Sequence, residues 1–268
     1  MAKKKKQKQS IAWRAFKLPF IGFGKLAAYT YRRSREGMRE AKVQRKLDRS
    51  VVYHTEPQFE EFPIVKEITG EYSYTEKRLF EDSLIVLIFG KRGSGKSALG
   101  FKLLENIHSK TGRKCYALDI EQGKMPAWIK SIDDIEKVPN GGVILIDEGA
   151  ISFGSRDSMS SKNKELSKLL AIARHKNLTL IFVTQNTGLI DKNVLALTDT
   201  LLIKEGSLLQ MEMERKEVRK FYDKANDFLK FVEGDKKKYF YLIDSDFEGV
   251  LTHNLPSFWT TGLSKNQG

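Results

Sequence analysis

An α/β fold with a mainly parallel central sheet flanked by helices is predicted by three features of this 268-residue sequence. Uninterrupted apolar runs recur, among them Leu84–Phe89, Val143–Ile146 and Leu180–Val183, and such runs suit strands buried on both faces. Segments of helical spacing separate them, as the crossovers of a parallel sheet require. The first run ends in a glycine-rich loop that opens straight into a helix-periodic segment. In a sheet of this kind the active edge lies at the carboxyl ends of the strands.

Residues 1–50 hold 16 Lys/Arg against 3 Asp/Glu, and the rest of the chain is balanced at 31 against 31. The net charge of +13 therefore sits wholly in a basic tail, whose partner is a polyanion, either nucleic acid or an acidic lipid surface. Residues 2–10 are a lysine tract expected to be disordered when unbound. From Ile11 to Tyr31, aromatics such as Trp13, Phe16, Phe20 and Phe23 interleave with Arg14, Lys17 and Lys25. That mixture fits an anionic membrane surface, stacked nucleic-acid bases, or docking on the chain's own core or a neighbouring subunit. Residues 34–49 read as helical. Residues 51–81, punctuated by Pro57, Pro63 and Gly70, read as extended pieces flanking the core, including Phe62–Val65 and Glu71–Tyr74.

The core is expected over residues 82–206. Strand Ser83–Phe89 leads through the loop into a helix with Leu99, Leu103 and Ile107 on one face. A short strand, Lys114–Leu118, precedes a polar connection through Pro126, Trp128 and Pro139–Gly142. The next strand, from Val143, ends in two carboxylates, Asp147 and Glu148. Ser152 to Asn163 reads as a Ser-rich loop. Leu166, Leu169, Leu170 and Ala173 then mark a helix that stops at Asn177. Strand Thr179–Val183 ends at Thr184-Gln185-Asn186, and Thr200–Lys204 is a further strand. Residues 207–268 read as a small α+β extension. Leu209, Met211 and Met213 alternate as a strand would, Arg215–Val232 has helical spacing, and Tyr239–Asp244 with Gly249–His253 forms a hairpin.

The single cysteine, Cys115, rules out an internal disulfide, fits a reducing compartment and reads as a buried structural thiol. No stretch approaches the ~18–20 apolar residues of a membrane span. Arg14, Lys17 and Lys25 interrupt a start that otherwise mimics a signal peptide, so an intracellular, non-secreted protein is expected.

Gly90-Lys91-Arg92-Gly93-Ser94-Gly95-Lys96-Ser97, with Ala98 opening the helix, has the G-x-x-x-x-G-K-[ST] spacing of a phosphate loop. Glycines let successive backbone N–H groups converge on phosphate oxygens at the positive end of a helix dipole. Lys96 then reaches the terminal phosphates of ATP, and the Ser97 hydroxyl reaches Mg²⁺. Asp147 is placed to hold Mg²⁺ through water, and Glu148 to polarise the water that attacks the γ-phosphate. A carboxylate base directly after the metal aspartate points to hydrolysis rather than transfer to a small molecule. Gln185, at the end of the next strand, suits a polar γ-phosphate sensor, although taken alone a Gln after a strand is usually a surface amide.

The loop at 90–97, Leu145–Glu148, and Ala173–Leu178 running into Ile181–Asn186 together resemble the FtsK/HerA clade of P-loop motor ATPases. Within that clade the chain is most similar to viral DNA-packaging ATPases and to the zonula-occludens-toxin-like assembly ATPases of filamentous phages. The resemblance covers about residues 82–205. It implies a RecA-like sheet, a homo-oligomeric ring with ATP hydrolysed at subunit interfaces, and movement of a polymer, double-stranded DNA or protein, through the pore. It also makes Arg174 the candidate arginine for the phosphates, in its own subunit or across an interface, with Arg156 second; as a residue, Arg174 reads equally as a helix-terminal cation complementing the dipole. No membrane domain or winged-helix domain is legible in these residues, which favours a compact viral or mobile-element motor. Host cytoplasm is then the expected location, with residues 1–35 contacting DNA, an anionic membrane surface or the virion shell.

Overall fold

A computed structural model describes residues 34–35, 37–147, 159–185, 192–207, 209, 212, 214, 216–260 and 263. Residues 1–51 and 52–268 form two compact units. The described part of the first is helical, and helix α1 runs over residues 37–53 with Met38, Val43, Leu47 and Val51 exposed along it. The lysine tract and the aromatic segment 11–31 lie outside the described residues.

The second unit is built on a sheet of nine described strands. In chain order these are β1 (Ile64–Gly70), β2 (Ile85–Phe89), β3 (Cys115–Leu118), β4 (Ile129–Ile132), β5 (Val143–Asp147), β6 (Thr179–Thr184), β7 (Thr200–Ile203), β8 (Tyr239–Ile243) and β9 (Phe247–Thr252). The helices are α2 (Tyr72–Glu81), α3 (Lys96–Thr111), α4 (Met159–His175), α5 (Lys192–Leu197) and α6 (Lys216–Leu229). Across the sheet the order is β1-β9-β8-β7-β2-β6-β5-β3-β4. From β4 to β7 every neighbouring pair is parallel, and β7-β8-β9-β1 continues antiparallel.

The apolar runs are continuous because both faces of the sheet are covered. Val86 and Ile88 of β2 pack in one core with Leu99, Leu103 and Ile107 of α3 and with Leu79 and Phe80 of α2. Ile85, Leu87 and Phe89 point to the other core, with Leu170 and Ala173 of α4 and Val218, Tyr222, Ala225 and Leu229 of α6. This is the three-layer arrangement the strand–helix alternation predicts. Cys115 is buried, and burial pushes its thiol well above the usual range, which makes it structural rather than reactive.

Several local expectations are corrected. Glu71–Tyr74 is not extended, because α2 begins at Tyr72 and buries Tyr72, Thr75, Leu79 and Phe80 at helical spacing while Tyr74 is exposed. Two tyrosines two residues apart mimic strand alternation there. The polar connection before β5 contains β4, a short, half-exposed edge strand paired parallel to β3. Helix α4 starts at Met159, inside the stretch read as a Ser-rich loop, since extending a packed helix costs far less than nucleating one. Asn177, in the left-handed region at φ 52°, ends it as expected. Leu209 and Glu212 are helical rather than strand, and Met211 and Met213 lie outside the described residues.

Helix α3 is buried around nearly its whole circumference. Its polar side chains are therefore paired internally: Lys102 Nζ lies 3.0 Å from Glu105 and 3.2 Å from Glu60, and Asn106 donates to Glu60 O at 2.7 Å. Gly100 lets the helix approach the sheet, because a Cβ there would stand 2.8 Å from Leu145 Cδ1 and 3.1 Å from Val183 Cγ2. Gly100→Val should therefore lower the unfolding free energy by about 1–3 kcal/mol through overpacking, seen as a lower denaturant midpoint at unchanged slope. Parental stability would mean that the helix does not depend on that close approach.

Candidate active site

Strand β2 ends at Phe89 and α3 begins at Lys96, so residues 90–95 must reverse direction within a single loop. Gly93 and Gly95 do so at φ +74° and +89°, in the left-handed region. Gly95 is required twice over, because a Cβ there would also stand 2.9 Å from the carbonyl oxygen of Lys237. The loop opens onto a cleft of about 630 Å³. Arg92, Gly93, Gly95, Lys96, Ser97 and Ala98 contribute to its wall, with Asp147 from the end of β5 and Gln185 just past β6. These are adjacent strands on one side of β2, which is why residues 50 or more positions apart meet.

Within this wall, Ser97 Oγ donates to Asp147 Oδ2 at 3.3 Å. Lys96 is buried to 7% exposure, and its Nζ donates to Lys91 O at 2.9 Å, folded back along the loop. Ser94 Oγ is buried with no hydrogen-bond partner among the described residues, a donor inside the loop that an incoming phosphate oxygen would satisfy. A hydroxyl and one carboxylate are hard oxygen donors that leave coordination positions for phosphate and water, the usual set for Mg²⁺. Among the described residues no group of three or more His, Cys, Asp or Glu forms a protein-only metal cage. The residues present therefore fit a magnesium–triphosphate group.

Other expected site residues are placed differently. The Lys91 side chain is salt-bridged to Glu205 at 2.5 Å, and Gly90 packs beside Lys204; the loop uses both for shape. Arg174 is exposed in the last turn of α4 and is not part of the cleft wall. Glu148 and Arg156 lie outside the described residues.

Sequence reasoning missed the opposite wall, which comes from the C-terminal hairpin: Asp235, Lys237, Lys238, His253, Leu255 and Trp259. Because β8 runs antiparallel to β7, and β9 antiparallel to β8, the start of β8 and the end of β9 both return to the carboxyl edge of the parallel strands. The lysine triplet Lys236–Lys238 was the one sequence signal that could have marked this wall. It forms a short turn, capped by Asp235 accepting from Lys237 N.

Lys204 fastens that turn. Fully buried at the end of β7, its Nζ donates to Lys237 O at 2.7 Å, Tyr239 O at 2.9 Å and His253 Nε2 at 2.7 Å. Three acceptors are as many as an ammonium has protons to donate, although burial pushes its pKa well below that of a free lysine. Burial, with the charge of Lys204 beside it, pushes His253 from 6.5 down to about 3, so the ring is neutral, with Nδ1 donating to Asn254 O at 2.9 Å and Nε2 left to accept.

A phosphate loop on the central strand, facing a hydroxyl–carboxylate pair at the edge of an α/β sheet, defines a P-loop ATPase. Residues 118–244, just under half of the chain, match the family described as Zonular occludens toxin (Zot). That match begins after the phosphate loop and includes Asp147, Arg174 and Gln185. No curated protein matches the chain.

Among solved structures, the chain is similar to B204, the DNA-packaging ATPase of Sulfolobus turreted icosahedral virus, at 16% identity and TM-score 0.46, covering 65% of this chain and 99% of that one. It is also similar to the pCW3 conjugation coupling protein TcpA, at 10% identity and TM-score 0.47, covering 69% and 63%. The cytoplasmic domain of the Thermomonospora curvata type VII secretion ATPase EccC matches at 13% identity and TM-score 0.43, covering 74% and 26%.

The neutral His253 has a consequence for stability. Between its unfolded value of 6.5 and its folded value near 3, the native state binds fewer protons than the unfolded chain. Its contribution is therefore complete above pH 6.5 and is lost as pH falls, by at most about 1.4 kcal/mol per pH unit. His253→Asn should flatten this part of the stability–pH curve in denaturant titrations; an unchanged slope would assign it to other groups.

Proposed function

We propose that this chain is an ATP-hydrolysing motor that translocates double-stranded DNA, working as a homo-oligomeric ring in the packaging of a viral genome. The observation that carries the reading is the convergence of Lys96, Ser97 and Asp147 at the carboxyl edge of β2 and β5, with Glu148 next in sequence as the base. Ser97 and Asp147 would hold Mg²⁺, which when bound would supply charge neutralisation to the phosphates. Lys96 leaves the Lys91 carbonyl for the phosphates, Ser94 and the loop N–H groups bind their oxygens, and Gln185 senses the γ end. Arg174, exposed and away from its own cleft, is suited to act on the phosphates of a neighbouring subunit. The Zot match, which includes Asp147, Arg174 and Gln185, supports a motor ATPase of this clade.

Hydrolysis should be stimulated by double-stranded DNA; an absence of stimulation at every DNA length and salt tested would count against the motor reading. Lys96→Ala should abolish binding or turnover. Glu148→Gln should retain ATP while hydrolysis falls by about 10²-fold or more, and unchanged turnover would assign the base elsewhere.

A second reading is a membrane-associated assembly or export ATPase acting on protein, favoured by the Zot match together with the aromatic and basic residues of segment 1–35. No helix among the described residues is long and apolar enough to cross a membrane. The tail separates the two. If it displaces counterions from DNA, affinity should fall with a log–log salt slope of about −0.9 per phosphate contacted. Deleting residues 1–50 should flatten that slope while basal hydrolysis survives. An unchanged slope, with loss of flotation on anionic liposomes, would favour the membrane reading.

A further inference from the structure

The loop leaves the central strand between two chemically different flanks. On the β6–β5 side stand Gln185 and Asp147, the groups suited to the reacting γ end of a triphosphate. On the β7–β8–β9 side the wall continues through Lys237, Lys238 and His253 to Leu255 and Trp259. A nucleotide with its γ-phosphate beside Asp147 therefore extends its nucleoside toward this second flank. That flank has an apolar part, Leu255 and Trp259. Leu255 is 58% exposed, a large aliphatic side chain left in solvent on the rim, and Trp259 is half-buried against the core.

The mounting of this part is the stronger observation. Ser257 N donates to the buried Glu105 carboxylate of α3 at 3.2 Å, and Trp259 N donates to Pro256 O at 3.0 Å, closing a turn. Between them Phe258 is buried edge-on against Phe101 of α3 at 5.8 Å and against Trp128 at 5.5 Å, while Trp259 lies 6.2 Å from Phe101. The turn carrying Trp259 is thus fastened to the same helix whose first two residues, Lys96 and Ser97, face the phosphates. A platform fixed to the phosphate helix holds its distance from the loop without any reordering on binding, and an indole offers a large flat face to a purine at low entropic cost.

We propose that Trp259, with Leu255, forms the base-binding platform of the nucleotide site, with the purine stacking on the indole and Leu255 closing the rim. This rests on the ATPase reading of the cleft, and the experiment separates the two. Calorimetry would compare MgATP with magnesium tripolyphosphate, which carries the phosphates and lacks the base. Trp259→Ala should weaken MgATP about tenfold, as loss of one base–aromatic stack does, and leave tripolyphosphate unchanged; Trp259→Phe should restore most of the loss. Leu255→Ser, at a position 58% exposed, should weaken MgATP severalfold with the same selectivity. If both ligands weaken together, or neither does, Trp259 supports α3 or is idle and the platform is overturned. If the unmutated protein binds neither ligand, the nucleotide reading itself fails and the platform fails with it.

Discussion

The site depends on one constraint: a glycine-rich loop of six residues must hand β2 directly to a helix, so α3 has to start at Lys96 and lie tight against the sheet. Gly100 permits the contact with Leu145 and Val183, strand neighbours of the loop on β5 and β6. The same approach sets Ser97 within 3.3 Å of Asp147 at the end of β5. A helix held farther out would open that gap and dissolve the hard-oxygen pair, so core packing and the geometry of the proposed metal site are one problem here.

A helix buried on almost every side has nowhere to send its polar groups, and this chain meets the difficulty by using them as fasteners. Glu105 takes Gln58 N at 3.2 Å and the Ser257 turn, Lys102 joins Glu105 to Glu60, and Asn106 clips the backbone of Glu60. Removing Glu105 would leave Gln58 N without this acceptor and the buried Lys102 without its buried counter-charge, which costs more than the contacts themselves contribute. Segments distant in sequence are thereby bound to the helix that carries the phosphate loop. Lys204 does the same on the other side of β2, tying β7 to both strands of the hairpin.

What the sequence made legible follows from how local each signal is. The phosphate loop, β2, β5 and β6 were readable because continuous apolar runs and glycine spacing are properties of neighbouring residues. Asp147 and Gln185 were readable because they end such runs. The opposite wall was not, since its position depends on β8 running antiparallel to β7 and β9 antiparallel to β8, and nothing near Lys237 or Trp259 states which strand they pair with. The hairpin itself was visible as two runs around a turn, yet a hairpin can join a sheet at either edge or stand apart. Glu71–Tyr74 was misread because tyrosines at alternate positions satisfy a strand pattern until Leu79 and Phe80 are counted with them. β4 escaped because four residues at a sheet edge, two of them exposed, carry too little apolar signal.

The mixed sheet also explains why the two flanks of the loop differ in chemistry. Parallel strands joined by helical crossovers can deliver only their carboxyl ends to the active edge, so β5 and β6 each supply one or two residues there. An antiparallel hairpin delivers the beginning of one strand and the end of the next to the same edge. It brings Asp235, Lys237 and Lys238 of the turn and His253, Leu255 and Trp259 after β9 to the cleft at once. In the proposed site, the side facing γ-phosphate, metal and water needs a few closely spaced oxygen atoms, which strand ends provide. The side proposed for the rest of a nucleotide needs area and shape, which a continuous stretch of chain provides. Attaching the hairpin beyond β7 gives the loop both, and the buried Lys204, donating to carbonyls of the turn while His253 stays neutral to accept from it, holds the second side in register with the first.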